Sequence, residues 1–458
     1  KFHMPTAYTI LFLLLILVAA ATWIIPAGSY DYVDGVPVAG TYHAVAQNPQ
    51  GVGDVLKAAF SGFYDAVDVC IFILMVGGFL GVVMKTGAVD AGVANVIRLL
   101  GGREKWLIPI LMLLFGLGGT TYGMWEETMA FYPLLIPVFL AAGYDAVVGI
   151  SVILLGAGAG VIASTVNPFA TGIAAGFAGV SLGEGIVLRL LEWVAFEAAA
   201  IWFVMAYAAR IKRNPSKSVV GVGAGKIQVT MDQQVPFTAK RKVIMAFFTL
   251  TFLIMVYAVV PFDEMGLPLP TLGWWFPELS ALFLVAGVVI GLIDRMSEEE
   301  LVETYVAGCA DLLGVAFIIG ISRGITVLMR DGAITDTILH WGEAALSGAG
   351  AVSFTLLVFV LYLPLTILIP SSSGLATLSI PIVAPLGKFA GVGGDLVVTA
   401  FQSASGLVNI LTPTAAVVMG ALALGHVPYD RWVKYVWKLM LWFLLLALVF
   451  LVAGVLLG

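Results

Sequence analysis

Charge is what this chain has least of: Asp, Glu, Lys and Arg make up 11% of its 458 residues, against 61% apolar residues. Soluble domains carry about 25% charged residues, so a soluble globular chain is excluded. Cysteine is nearly missing as well. Cys70 and Cys309 each lie in an apolar stretch, which argues against a disulfide framework or a cysteine metal site. The four histidines are scattered and show no H-E-x-x-H spacing, so metalloprotease chemistry has no footing. A net charge of -6, with no basic arm or acidic tail, points to no nucleic-acid partner. The run Gly320-Ile321-Ser322-Arg323-Gly324 fits a nucleophile pattern, but it sits in an apolar helix with no strand before it and loses its meaning there. No enzyme and no cofactor are expected.

What is present is membrane. Mean hydropathy is +1.05, and the apolar runs are about 20 residues long, enough to cross about 30 Å of hydrocarbon as helices. No alternating barrel pattern competes with them. The expected fold is an all-α polytopic membrane protein. Helices are read near 7–25, 58–84, 106–118, 146–162, 186–209, 243–261, 277–293, 306–329, 351–369, 396–407 and 431–457. The first run, Tyr8 to Ile25, is read as an uncleaved transmembrane helix and not a signal peptide, because Trp23 marks an interface and no soluble domain follows.

Positive charge sets the topology. Arg210, Lys212, Arg213, Lys217, Lys226, Lys240, Arg241 and Lys242 crowd one connection, while 26–56 and 261–277 hold no Lys or Arg. The first is then cytoplasmic and the others external, which puts the N-terminus inside. Asp263, Glu264 and the Trp274-Trp275 pair suit an external interface, and 330–350 is read as an external connection.

An internal repeat is written over this pattern. Met84-Lys85-Thr86-Gly87-Ala88 echoes Met329-Arg330-Asp331-Gly332-Ala333 at a shift of 245, Asn167-Pro168 falls against Thr412-Pro413 at the same shift, and Pro133 and Pro137 fall against Pro381 and Pro385 at 248. The two Met turns lie on opposite sides, so the halves are inverted: 1–210, a cytoplasmic linker 211–242, and 243–458. Inverted repeats of this kind are a transporter signature.

Helix breaks at matched positions then mark the site. They are Gly118 to Gly123 leading into Trp125-Glu126-Glu127; Ser164 to Pro168; Pro364 and Pro370 to Gly374; and Ser403 to Gly406 with Asn409, Thr412, Pro413 and Thr414. Freed backbone groups at membrane depth survive only where they line a cavity. Glu126 and Glu127 stand out because a charge there costs about 2.5 to 3.5 kcal/mol on insertion scales. Their mirrored positions are the uncharged Ser371, Ser372 and Ser373. Candidate substrate contacts are therefore Glu126, Glu127, Thr120, Thr121, Asn167, Ser371, Ser372, Ser373, Asn409, Thr412 and Arg323, with room for Na+ near Ser164, Asn167, Ser403 and Asn409. Arg323 either neutralises a carboxylate or meets a substrate anion. Asp65 and Asp68 read as first-turn acids, and Glu192 and Glu197 as interfacial or inter-helical. Acids on one rim with hydroxyls and helix N-termini on the other suit a zwitterion with a cationic side chain.

PTAYTILFLLLILVAAATWIIPAGSYD, GTTYGMWEETMAFYPLLIPVFLAAGYD and IPSSSGLATLSIPIVAPL resemble the bacterial YfcC family, within the DcuC-like C4-dicarboxylate carrier group of the ion transporter superfamily. The resemblance covers essentially the whole chain. It implies two inverted halves, each with scaffold and re-entrant hairpin, in a homodimer of the bacterial inner membrane that works as an elevator. It also implies hairpin tips at Thr120 to Glu127 and Pro370 to Gly374, with unwound partners at Asn167 and Asn409. Relatives are described as arginine/ornithine or other basic amino-acid antiporters, and more distant ones as dicarboxylate carriers. The expected function is basic amino-acid antiport, with a Na+- or H+-coupled carboxylate carrier as the alternative. A membrane enzyme or a channel would be readings of another class.

Overall fold

The computed structural model describes residues 7–457 apart from 35, 90, 93, 94, 96–102, 182, 222–235, 260, 261 and 263–267. Most of the expected linker, with Lys226, and the expected interface residues Asp263 and Glu264 lie outside the described residues. Helices dominate. In chain order they are α1 (Ala7–Ala21), α2 (Val52–Asp65), α3 (Val67–Lys85), α4 (Leu107–Tyr122), α5 (Tyr132–Ala141), α6 (Ala146–Ile162), α7 (Ile173–Ala178), α8 (Ile186–Arg213) and α9 (Ala239–Val259). There follow α10 (Phe276–Asp294), α11 (Glu298–Asp331), α12 (Thr335–Leu346), α13 (Ala351–Leu368), α14 (Ser372–Phe389), α15 (Gly394–Asn409), α16 (Ala416–Leu424) and α17 (Tyr429–Leu457). Two two-residue strand pairs, Gly28–Ser29 with His43–Ala44 and Tyr32–Val33 with Val36–Pro37, are the described β structure.

Three expectations about elements are corrected. The helix read over 58–84 is two, α2 and α3, broken at Ala66 (φ -129°, ψ 27°). The helix read over 306–329 begins at Glu298, where the Ser297 hydroxyl caps Glu300 N at 3.2 Å and three glutamates fill the positive first turn. The connection read over 330–350 contains α12, an amphipathic helix too short and too polar to stand out as a span. Its Asp336 and Glu343 receive the 28–44 strand region, with Tyr30 Oη on Glu343 at 2.7 Å and Tyr32 Oη on Asp336 at 2.8 Å. Burial and these neighbouring carboxylates raise both tyrosines above the ordinary phenol range.

Packing divides the helices into two groups. In the first, α2 and α3 lie along α11, and α1, α9 and α10 flank them. The α3–α11 seam is built on glycine: a Cβ on Gly77 would sit 2.5 Å from Gly308 O, and one on Gly308 would sit 2.4 Å from Gly77 O. Gly62 meets Gly320 in the same way, so positions rise on one side as they fall on the other. The helices therefore run antiparallel at near-contact of backbones, as small residues allow in a membrane.

The second group is built on α4 with α6 and α13 with α15, with α8 and α17 packed outside. Each of α4 and α13 turns back on itself as a hairpin. Tyr362 Oη bonds Ser379 Oγ at 2.9 Å, and Phe354 lies near Gly387, which brings α14 back along α13. At the base of the first hairpin, Asp145 Oδ1 caps α6 through Val148 N at 3.0 Å, and Tyr144 is raised by burial and by the Glu104 carboxylate near the start of α4. Five described helices, α3, α10, α11, α13 and α17, are long and apolar enough to cross a membrane.

Candidate substrate site between the two helix groups

Both hairpin tips, the two unwound stretches after α6 and α15, and the middle of α11 converge on one cavity of about 200 Å³. Of the expected contacts, Glu126, Glu127, Arg323, Asn167, Asn409, Ser371, Ser372 and Ser373 line it. The first tip is made by Gly123, whose φ of +76° ends α4 and whose missing Cβ would lie 2.5 Å from Asn167 Oδ1. Only glycine meets both demands. A 3₁₀ turn then runs from Glu126 to Phe131.

The two glutamates are not equivalent. Glu127 is 6% exposed, and its Oε2 accepts from Trp125 N at 3.1 Å, so the carboxylate is turned back on its own tip. Glu126 is half-buried and faces the charges of Arg323 and Asp68. Arg323 forms no ion pair among the described residues. Neutralisation of a glutamate by direct contact, one of the two readings of this arginine, is therefore not what the geometry holds.

On the opposite rim the second tip is a regular helix start. Ser371 Oγ accepts from Gly374 N at 3.3 Å and leaves the N–H groups of Ser372 and Ser373 at the cavity. The start of α16 adds Ala416 and Val417, with Ala415 as an N-cap that offers no side-chain bond. Two helix N-termini and a guanidinium make an anion-receiving surface. Asn409 lines the cavity with Oδ1 unpartnered among the described residues, while Asn167 Nδ2 bonds Ser164 Oγ at 3.2 Å.

Thr120, Thr121 and Thr412 do not line the cavity, because their hydroxyls are used elsewhere. Thr120 Oγ1 donates to Ala163 O at 2.8 Å and ties the tip to the unwound end of α6; Thr121 Oγ1 donates to Leu117 O at 2.6 Å; Thr412 pairs with Thr414 at 2.8 Å. The fourth break holds over its second part alone, from Asn409 to Thr414, and not over Ser403 to Gly406. Helix α15 runs through Ser403, Ser405 and Gly406 and unwinds after Asn409, since Gly406 serves close packing on Ile162 instead. Pro364 sits inside α13 without ending it. Of the four residues considered for Na+, Asn167 and Asn409 line the cavity and Ser164 bonds Asn167, while Ser403 Oγ donates to Glu192 Oε1 at 2.8 Å and is not in the lining. Among the described residues no group of three His, Cys, Asp or Glu side chains is placed to hold a metal ion. Glu192 is thereby inter-helical, and Glu197 is 2% exposed.

Residues missed in the sequence complete the lining. Asp65, Asp68, Ser322, Trp275 and Phe276 all face the cavity. Asp68 does open α3, as expected, but Asp65 closes α2 and lies 3.7 Å from Arg330. The signal for them was the proximity of two acids to Ala66, legible only once the helix is known to break there.

The match to the family described as "C4-dicarboxylate anaerobic carrier", DcuC, runs over residues 4–456. The chain belongs to the DcuC family. An uncharacterized protein of Haemophilus influenzae is 35% identical, with 99% of this chain and 97% of that protein covered. A protein of Escherichia coli K12, provisionally named basic amino acid antiporter YfcC, is 30% identical, with 95% and 93% covered. Among solved structures, the YdaH transporter of Alcanivorax borkumensis and MtrF of Neisseria gonorrhoeae each share 16% identity at a TM-score of 0.43. They cover 98% of this chain, and 98% and 94% of their own. A multi-pass membrane transporter of the DcuC/YfcC type is the function this membership carries.

Proposed function

We propose that this DcuC-family protein exchanges one basic amino acid for a related one, of the arginine or ornithine type, across the bacterial inner membrane. The carrying observation is the charge of the cavity: its described lining holds four carboxylates, Asp65 (3.7 Å from Arg330), Asp68, Glu126 and Glu127 (turned to Trp125 N), against one cation, Arg323. Like charges at 4 Å repel by about 4 kcal/mol at an effective dielectric of about 20, so a dianion is disfavoured there. A cationic amino acid satisfies both rims: Glu126 receives its side chain, and Arg323, Ser371 to Ser373 and the start of α16 receive its carboxylate. The name of the Escherichia coli relative agrees with this reading.

Movement is assigned to the second helix group, sliding as an elevator against a scaffold formed by the first, in a homodimer with its N-terminus cytoplasmic. Support for inverted repeats over 1–210 and 243–458, joined by 211–242, comes from element spacing. Helix α13 starts 244 positions after α4, α15 starts 248 after α6, and α17 starts 243 after α8. The α2–α3 pair and α11 stand 246 apart and run antiparallel, as inverted copies would.

The second reading is carboxylate transport, favoured by an Arg323 without an ion pair among the described residues and by the family's description. The test is counterflow into vesicles holding the purified protein. Saturable L-arginine and L-ornithine exchange is expected. Saturable succinate exchange with no arginine signal would replace the proposal with the carboxylate reading.

A further inference from the structure

A second cavity, of about 620 Å³, lies on the same seam between the two helix groups. It is lined by Tyr8 of α1, by Asp311 and Ile318 of α11, by Met419 and Ala423 of α16, and by His426 beyond it. The first cavity takes Ile319 and Arg323 from α11 and Ala416 and Val417 from α16. Following α11 backward and α16 forward therefore leads from one cavity into the other. Where α11 meets α16 the packing is tight: a Cβ on Gly420 would lie 2.5 Å from Met129 Cε, at the first hairpin, and 2.8 Å from Val315 Cγ1, itself in the lining of the second cavity.

Asp311 is the residue this cavity leaves unexplained. It lies about 20 Å along α11 from the helix start, at 1.5 Å per residue. An acid in a helix long and apolar enough to cross a membrane is a functional-site candidate. It is exposed and has no hydrogen bond or ion pair among the described residues, whereas the neighbouring Asp430 is held by Arg431 at 3.7 Å and Lys434 at 3.4 Å. Its position is also specific. Asp311 stands 245 places beyond Ala66, the break flanked by Asp65 and Asp68. Each half thus places a carboxylate at the same level of its long helix, one set facing the first cavity and one facing the second.

We propose that the second cavity is the opening of the transport path to the opposite membrane face, and that Asp311 receives the cationic group of the solute there. This rests on the cationic-solute reading above, and the experiment separates the two. With Cys70 and Cys309 replaced by serine, Ser372→Cys and Ala423→Cys are each exposed to a charged, membrane-impermeant thiol reagent from either face of sealed vesicles. Ser372→Cys is expected to react from one face and Ala423→Cys only from the other; reaction of both from the same face overturns the assignment of the cavity. That readout requires no substrate, so it stands even where the wild-type protein fails to exchange L-arginine and the substrate reading falls. Asp311→Asn is then expected to raise the half-saturating L-arginine concentration about tenfold on the Ala423 face and under about twofold on the other. No change, or equal change on both faces, removes Asp311 from the path.

Discussion

The two hairpin tips face each other across one cavity and solve the same problem with different chemistry. At the second, Ser371 caps a regular α-helix and leaves first-turn N–H groups for an anion. At the first, the chain passes through a left-handed glycine into a 3₁₀ turn, and one carboxylate, Glu127, closes on its own backbone at Trp125. The partner glutamate is left to the cavity. The difference teaches why two adjacent acids are present: regular helix geometry would point neighbours about 100° apart, and the irregular tip divides them into one that holds the turn and one left to the cavity.

The largest test of that division is Glu126→Gln, which keeps shape and removes the cavity charge. Loss of one partner from a desolvated charge pair costs about 2 to 5 kcal/mol, so exchange of L-arginine is expected to fall about 30-fold or more with the protein folded. Glu127→Gln preserves an acceptor for Trp125 N and should cost about tenfold or less, because a neutral acceptor replaces a charge-assisted one. Counterflow rates measured side by side decide. Equal losses in the two variants would break the division between the glutamates.

Much of this site was legible beforehand, and the reasons for the gaps are physical. Glu126, Arg323 and the serine run announced themselves because charge and helix breakers are expensive in lipid and so carry information wherever they occur. Thr120 and Thr412 were read into the cavity for the same reason, yet a hydroxyl can satisfy a nearby backbone group, and composition cannot tell which partner it takes. Asp65 and Asp68 were hidden by Ala66, which breaks a helix without proline or glycine to mark it. Asp311 was hidden differently. It sits in a helix whose polar start, Glu298 to Glu303, masks a single acid farther along the same helix. Helix α12 escaped because its stability comes from docking against Tyr30 and Tyr32, a long-range contact that no local pattern records.

The smaller effects sharpen the comparison at its glycines and caps. Gly123→Ala puts a Cβ on a left-handed residue 2.5 Å from Asn167 Oδ1 and is expected to lower thermal stability by several degrees and impair exchange. Ser371→Ala removes a cap worth about 1 kcal/mol and should raise the half-saturating concentration severalfold while leaving the maximal rate within about twofold. Gly374→Ala is the control with the smallest effect. Its Cβ would meet only the Ser371 side chain, Oγ at 3.2 Å and Cβ at 3.4 Å, so the hydroxyl has to give way by a few tenths of an ångström. Alanine is also the better helix former, by about 1 kcal/mol. Thermal melting and counterflow of Gly374→Ala should match the wild type or exceed it in stability. A large loss there would mean that the second tip needs glycine as the first does, and that the two tips are alike in backbone after all.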